Sequence, residues 1–408
     1  MKCGLLGGKL SHSYSPQIHA HLGTYSYQLF EKEKDELDAF MRTADFDAIN
    51  VTIPYKKDVI PYCAKLSETA KRLGAVNTIV KQPDGSLLGH NTDYFGFETM
   101  LKKSGLTVSG KKVLVLGSGG AAQTAIAVLE DQGATVIVIS RSGENNYSNL
   151  QIHADAAAIV NCTPVGMYPN NGISPVELDL FPKLEGVLNM IYNPARTKLL
   201  LDAENRGIVA MNGLLMLVAQ AKESAEWFTN TSIADEKIQL IHSHLRQQME
   251  NIILIGMPGS GKSTIGTLLA QATGKEFVDA DACLVQKAGR SIPEIFSADG
   301  EETFRRMETQ VLAELGKRSG IVLATGGGCV TRSENYAHLH QNGTIFCIHR
   351  DLSLLDTAGR PISQHRKLTD LYAIRKPLYE RFADHHIDNN AAAETAAAEI
   401  QKIWEGAE

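Results

Sequence analysis

The sequence predicts an α/β protein built on parallel sheets, and three observations predict it. Short apolar runs alternate with helical patterns along the whole chain. Two glycine-rich turns each follow an apolar run and open a helix. A seam near 235–251, where a charged amphipathic helix ends and a fresh apolar run begins, divides the 408 residues into two such arrays.

Before the seam, residues 3–6, 48–53, 112–116, 135–140, 158–161 and 186–189 read as strands, because each is a short apolar run bounded by turn-forming residues. Helical patterns over 33–42 and 120–132 lie between them, and another spans about 235–249. After the seam, 252–255, 276–279, 321–324 and 344–348 read as strands, and 262–273 and 301–318 as helices. A polar turn near Asn389 leads into an alanine-rich helix. Composition narrows the function classes. The net charge of −6 favours no nucleic-acid surface, and anionic ligands would need local basic sites. The longest apolar stretch, 207–219, is interrupted by Asn212 and is too short to cross a bilayer, so no membrane partner is expected. The start has no signal-peptide pattern, and the six cysteines contain no CxxC pair. They read as reduced thiols of a cytoplasmic protein rather than a disulfide frame or a zinc site. Oligomeric state is left open.

The turn after the seam, GMPGSGKST over 256–264, fits G-x-x-x-x-G-K-[ST] between a strand and a helix. Glycines at 256, 259 and 261 let backbone N–H groups close around phosphate oxygens, and the helix adds its positive end. Gly259, Ser260, Gly261, Lys262, Ser263 and Thr264 are therefore expected to bind ATP. Lys262 reaches its outer phosphates, and Ser263 holds Mg²⁺ together with Asp279. Asp279 and Asp281 are expected to end the next strand, where one carboxylate serves the metal and the other a substrate hydroxyl. Arg305 and Arg306 stand near a helix start, and Gly326, Gly327 and Gly328 permit close backbone approach to a ligand. Arg360 and Arg375 come late in the chain.

This ordered set, GMPGSGKST, DAD, SIPEIF…GEETFRR, the GGG strand and RKPLY, resembles shikimate kinase over about 251–408. The resemblance implies that Asp281, Arg305, Gly327 and Arg375 bind shikimate, with the two arginines on its carboxylate. Asp281 would orient the attacking hydroxyl, and Arg360 would be a lid arginine beside the transferring phosphate. The lid segment before Arg360 is shorter than the family's and lacks its usual adenine-packing arginine.

The other turn, GSGGAAQ over 117–123, approaches the dinucleotide-binding fingerprint, with Ala122 as the small residue packing helix on strand. Gly117, Ser118, Gly119, Gly120 and Ala121 would cradle a pyrophosphate. The following strand ends at Ser140-Arg141-Ser142, and a cation with hydroxyls there suits the 2′-phosphate of NADP(H) better than the bare ribose of NAD. Upstream, Ser13, Ser15, Thr52, Lys56, Asn77 and Asp93 fall at strand ends or in loops, where sites are built. A lysine beside an aspartate is a workable proton-transfer unit.

SHSYSP, NVTIPYKK, GAVNT, NTDYFG, GSGGAA, VNCTPVGM, YNPARTKLL and NGLLMLVAQ occur in order, and over about 1–245 the chain resembles shikimate dehydrogenase. The resemblance implies shikimate contacts from Ser13, Ser15, Thr52, Asn77, Asp93, Tyr192 and Gln220. It implies catalysis by Lys56 with Asp93, and places Gly213 and the turn 163–166 beside the cofactor. Three features depart from the family. Only 19 residues separate Arg141 from Asn161, so one βα unit is expected to be missing. Asn189 replaces an aspartate, and Leu215 replaces a glycine where it would crowd the nicotinamide.

The implied architecture is a three-layer substrate domain (1–100, completed by helices over 213–245) and an NADP-binding Rossmann domain (101–212). A linker helix (235–250) leads to a P-loop kinase domain with a parallel sheet (251–408). The implied function is bifunctional: 3-dehydroshikimate is reduced to shikimate with NADPH, and shikimate is phosphorylated with ATP and Mg²⁺. Two alternatives stand beside it, a regulator that binds the same metabolites without turnover and an enzyme acting on quinate. Retention of Lys56, Asp93, Lys262, Ser263 and Asp281 speaks against the regulator.

Overall fold

The computed structural model describes residues 1–10, 13–355 and 368–406. They form two compact units, one of residues 1–192 with 199–244 and one of residues 193–198 with 245–408.

The first unit carries two sheets. The strands of the first are β1 (Lys2–Gly7), β2 (Ser26–Glu31), β3 (Ala48–Val51), β4 (Lys65–Leu66), β5 (Thr78–Lys81) and β6 (Leu87–His90), in the order β2-β1-β3-β5-β6-β4. β1 runs parallel to β2 and β3, whereas β5 is antiparallel to both β3 and β6. The sheet is thus mixed, where alternation of elements implied parallel pairing. The cause is a tight turn at Pro83-Asp84-Gly85, with Gly85 at φ 83°, which folds β5 and β6 into a hairpin. Successive side chains of a strand face opposite ways. Leu6, Ile49 and Val51 pack with Leu37 and Met41 of α2 (Leu37–Thr43) and Ala70 of α3 (Glu68–Leu73). Cys3 and Ala48 pack on the other face against Phe228 of α7 (Leu214–Thr229), which lies against α1 (Ser15–Leu22). Helices on both faces give the three layers.

The second sheet is parallel throughout. Its strands are β7 (Lys112–Leu116), β8 (Thr135–Ile139), β9 (Ala158–Asn161), β10 (Gly186–Asn189) and β11 (Val209–Met211), in the order β11-β10-β9-β7-β8. The helices are α4 (Asp93–Ser104), α5 (Gly120–Asp131) and α6 (Lys198–Asn205). Between β8 and β9 the chain makes one 3₁₀ turn, Leu150–His153, and no further strand. The missing βα unit is therefore the one that would lie beyond β8, and β8 forms the border of the sheet.

The division between the units falls within α8 (Glu236–Met249). The second unit has one parallel sheet of β12 (Asn251–Gly256), β13 (Glu276–Asp279), β14 (Ile321–Ala324), β15 (Gly343–His349) and β16 (His385–Asp388), ordered β13-β14-β12-β15-β16. Its helices are α9 (Lys262–Thr273), α10 (Ala280–Ala288), α11 (Ile292–Leu315), α12 (Glu334–His340), α13 (Leu368–Phe382) and α14 (Ala393–Glu405). The central β12 is fully buried and delivers its last residue, Gly256, to the mouth of the sheet. Helix α11 starts nine residues earlier than the pattern over 301–318 suggested, at a Ser291–Glu294 capping box, and breaks at Gly300, φ 79°. Glycine-driven interruption hid the first segment from a periodicity reading. Among the described residues no helix is long and apolar enough to cross a membrane.

Candidate active sites

The mouth of the first sheet opens on a cavity of about 620 Å³. β3 ends at Val51, so Thr52 and Lys56 follow in the loop at its rim. Asp93 is the first residue of α4. The Lys56 ammonium donates to Asp93 Oδ2 at 2.5 Å, and Asn77 Nδ2 donates to Asp93 Oδ1 at 3.0 Å. Asn77 is itself fixed, because its Oδ1 accepts from the Thr92 backbone N–H at 2.7 Å. The aspartate is thus held at both oxygens, and one of them aims the lysine. Ser13, Ser15, Thr52, Asn77, Tyr192 and Gln220 all line the same cavity, with Ala121 and Gly213. Neutral hydroxyls and amides dominate the polar lining, which suits a polyhydroxylated ligand.

Beside the cavity stands the turn after β7. Gly117 has φ 108°, and a side chain there would come within 3.2 Å of Thr163. Added Cβ atoms at Gly119 and Gly120 would meet nothing within 4 Å, so backbone N–H groups at the start of α5 face open space. Ala122 is fully buried and packs the helix on the sheet. This open helix start fits a pyrophosphate. Arg141 is exposed just past β8, next to Ser140, as a 2′-phosphate contact requires. Opposite, Asn161 donates to Asn189 Oδ1 at 3.2 Å, and Asn189 Oδ1 also accepts from the Ile191 N–H at 3.0 Å. Asn189 keeps the acceptor that an aspartate would offer, without its charge.

In the second unit, Gly256, Gly259 and Gly261 all have positive φ, at 143°, 85° and 97°. Gly261 is obligatory for a second reason: a Cβ there would lie 2.4 Å from Asn389 Nδ2, which donates to Ser260 O at 2.7 Å. Ser260 Oγ is buried with no hydrogen-bond partner, an orphan that a phosphate oxygen would satisfy. The Lys262 ammonium donates to the carbonyls of Gly256 and Met257, each at 3.0 Å, and so lies inside the loop's curve. Ser263 Oγ donates to Asp279 Oδ2 at 3.0 Å, which pairs two oxygen ligands suited to Mg²⁺. Thr264 follows them in the first turn of α9.

Asp281 does not end the strand as the spacing suggested. It sits in the first turn of α10, whose N-cap is Asp279, because Asp279 Oδ1 accepts from the Asp281 and Ala282 N–H groups at 3.0 and 3.2 Å. Burial, helped by the nearby Glu308 and Asp279 carboxylates, pushes the Asp281 carboxyl up to about 6. Arg305 is buried and donates to Glu308 Oε2 at 2.7 Å. Arg375 is buried too, beside Tyr379, and forms no ion pair with a carboxylate among the described residues. Arg305 also pairs with Glu301 at 3.4 Å, so Arg375 is the guanidinium left to meet an acidic ligand. The three glycines, expected in a strand, lie in the turn just past the end of β14 at Ala324 and make room for it. A Cβ at Gly328 would fall 2.2 Å from the Arg305 guanidinium, and one at Gly326 within 2.8 Å of Asp281 Oδ1. Gly327 lies against Pro258, and its carbonyl accepts from Tyr379 Oη at 2.5 Å. Arg360 lies outside the described residues.

Comparison with known proteins decides what these sites belong to. Residues 5–79 match the family model of the shikimate dehydrogenase substrate binding domain. Shikimate dehydrogenase (NADP(+)) of Clostridium beijerinckii is 35% identical, over 59% of this chain and 96% of that protein. The chain belongs to the shikimate dehydrogenase family. It also carries a shikimate kinase domain, since residues 258–405 match that family's model. Shikimate dehydrogenase 1 of Peptoclostridium difficile is similar in structure, with TM-score 0.55 and 38% identity over 60% of this chain and 98% of that one. So is a chorismate mutase/shikimate 5-dehydrogenase fusion of Clostridium acetobutylicum, with TM-score 0.57 and 36% identity over 60% and 97% of the two chains.

Within this bifunctional chain, several cavity residues escaped sequence reasoning. Asn50, Lys9, Met190 and Met216 line the dehydrogenase cavity as well. Asn50 had a signal, being an amide inside an otherwise apolar, fully buried strand. It donates to Ser224 Oγ at 2.7 Å and accepts from Tyr27 Oη at 2.8 Å. In the kinase domain Glu308 stands in the motif but was given no role, although its i+3 spacing from Arg305 foretells the pair. Leu215 is buried and does not line the cavity, so the expected crowding of the nicotinamide is not built by that side chain. Gly213 does line it, and a Cβ there would stand 2.2 Å from Met190 O. Gly213→Ala is expected to shift the Met190 backbone, cost unit 1 about 1–3 kcal/mol by overpacking, and lower dehydrogenase kcat/KM. Urea denaturation and steady-state assays check both, with kinase activity as the unaffected control.

Proposed function

We propose that the protein reduces 3-dehydroshikimate to shikimate with NADPH and phosphorylates the 3-hydroxyl of that shikimate with ATP and Mg²⁺. One observation carries the reading. Two pockets in one chain each join a single proton-transferring group, Lys56 or Asp281, to groups suited to a hydroxylated ring acid. In the first, bound NADPH supplies the hydride. Lys56, aimed by Asp93, gives its proton to the oxygen that was the ketone, while Ser13, Ser15, Asn77 and Gln220 hold the ring. In the second, bound ATP supplies the phosphoryl group and Mg²⁺ neutralises charge. Asp281 takes the proton of the attacking hydroxyl, Arg305 and Arg375 hold the carboxylate, and Lys262 attracts the phosphates. Free cysteines throughout and soluble metabolites as substrates support a cytoplasmic location.

The test is a coupled assay with dehydroshikimate, NADPH and ATP·Mg²⁺ that follows NADPH loss and ADP release together. Both signals at matched stoichiometry are expected. Turnover of quinate in place of shikimate, or binding without either signal, would overturn the proposal. The cofactor assignment has its own test. Arg141→Ala is expected to raise KM for NADPH about 10–100-fold, the worth of one charged hydrogen bond, with kcat and the use of NADH little changed.

A further inference from the structure

Three side chains of the kinase unit that carry no role above meet on β15 and β16, near the end of the sheet where Ile348 pairs with Gly256. β15 and β16 are parallel, and their register sets Cys347 beside His386. His349 lies two residues beyond Cys347 and therefore on the same face. His349 Nε2 and His386 Nδ1 are 2.7 Å apart, and one ligand atom from each of the three residues lies within 4.8 Å of the other two. Cys347 is buried, His349 half-buried and His386 exposed, so the cluster has an apolar floor and an opening to solvent.

We propose that Cys347, His349 and His386 form a binding site for a zinc-class divalent ion, separate from the magnesium position at Ser263 and Asp279. The donors decide the class of metal. One sulfur and two imidazole nitrogens suit borderline-soft ions, while Mg²⁺ and Ca²⁺ take oxygen. The geometry needs little change. A tetrahedral zinc holds such donors about 3.3–3.6 Å apart, given its bond lengths, so the histidines part slightly and the thiol closes in. The metal then replaces the proton shared by the two rings and displaces the one on Cys347, which burial holds tightly by raising the thiol to about 12. Three protein ligands and a solvent-facing fourth position match an open rather than a closed site. No CxxC spacing announces it, because the ligands are assembled across two strands, with the two histidines 37 residues apart in sequence.

The experiment titrates the full chain, stripped of metal and held in excess Mg²⁺ to occupy oxygen sites, with Co²⁺ and then Zn²⁺. One equivalent of Co²⁺ is expected to give a thiolate-to-cobalt charge-transfer band, which Zn²⁺ abolishes. Cys347→Ser should lose the band. His386→Ala, at an exposed position where folding is not at stake, should weaken binding at least about tenfold, by comparison with the loss of mere supporting groups around a metal. Absence of the band, or a band that His386→Ala leaves at unchanged affinity, would overturn the proposal.

Discussion

Lys56→Ala is expected to lower dehydrogenase turnover by about 10²–10⁴-fold, the usual worth of a positioned acid–base group, while shikimate phosphorylation continues at its normal rate. The size follows from the geometry. Lys56 is the proposed proton donor of the cavity, held 2.5 Å from Asp93, whose second oxygen is tied to Asn77. Removing the ammonium leaves the carboxylate in place and the neutral lining intact, so substrate KM should change far less than kcat. Asp93→Asn should produce a smaller defect of the same kind, because it spoils the aim rather than removing the proton. The mirror experiment is Lys262→Ala. That ammonium lies within the curve of the phosphate loop, bonded to the carbonyls of Gly256 and Met257. Its loss should abolish ADP formation and leave NADPH oxidation unchanged. Equal damage to both activities from either substitution would refute two separately acting sites.

Asp281→Asn should abolish kinase activity and stabilise the protein at the same time. As a base, Asp281 must be ionised, yet the fold resists its ionisation by burying it beside Glu308 and Asp279. Its folded value of about 6 lies above the ordinary 3.8. Folding therefore favours the protonated acid. That stabilisation is complete below pH 3.8 and is lost as pH rises through about 6. At neutral pH the carboxylate costs the domain roughly 3 kcal/mol, two pH units at 1.36 kcal/mol each. An amide of the same shape removes that cost. The expected pair of results is a loss of about 10²–10⁴ in kcat and a Tm of the kinase unit raised by several degrees. The wild-type profile should agree, with kcat/KM falling as pH drops below about 6. A pH-independent rate between 5 and 7 would remove Asp281 from the role of base.

Local chemistry made much of this readable before any coordinates. The phosphate loop was legible because strand, positive-φ glycines and lysine must occur in that order for backbone N–H groups to converge. The seven residues assigned to shikimate in the first unit stand around one cavity; Thr52 follows β3, Ser15 and Asp93 open helices, and Gln220 comes from inside α7. What stayed hidden depended on pairing across the chain. The hairpin of β5 and β6 was passed over although Pro83-Asp84-Gly85 signals it, since helix–strand alternation implied parallel pairing throughout. Asp281 was misplaced by two residues because the cap made by Asp279 is a property of three-dimensional hydrogen bonding. That Arg375 is buried without a carboxylate ion pair among the described residues needed burial as well as sequence.

β8 reads Thr-Val-Ile-Val-Ile, carries no charge or proline, and is paired on one side only. Runs of this kind with a bare flank are templates for joining one chain to another in amyloid-like ladders. Trimming the dinucleotide sheet therefore leaves one flank of β8 as a bare border. The first charge after the strand is Arg141, so the residue proposed to meet the cofactor phosphate is also placed as a gatekeeper against aggregation. Cofactor bound beside this border would count as a chaperone of the dehydrogenase half, holding it native by mass action.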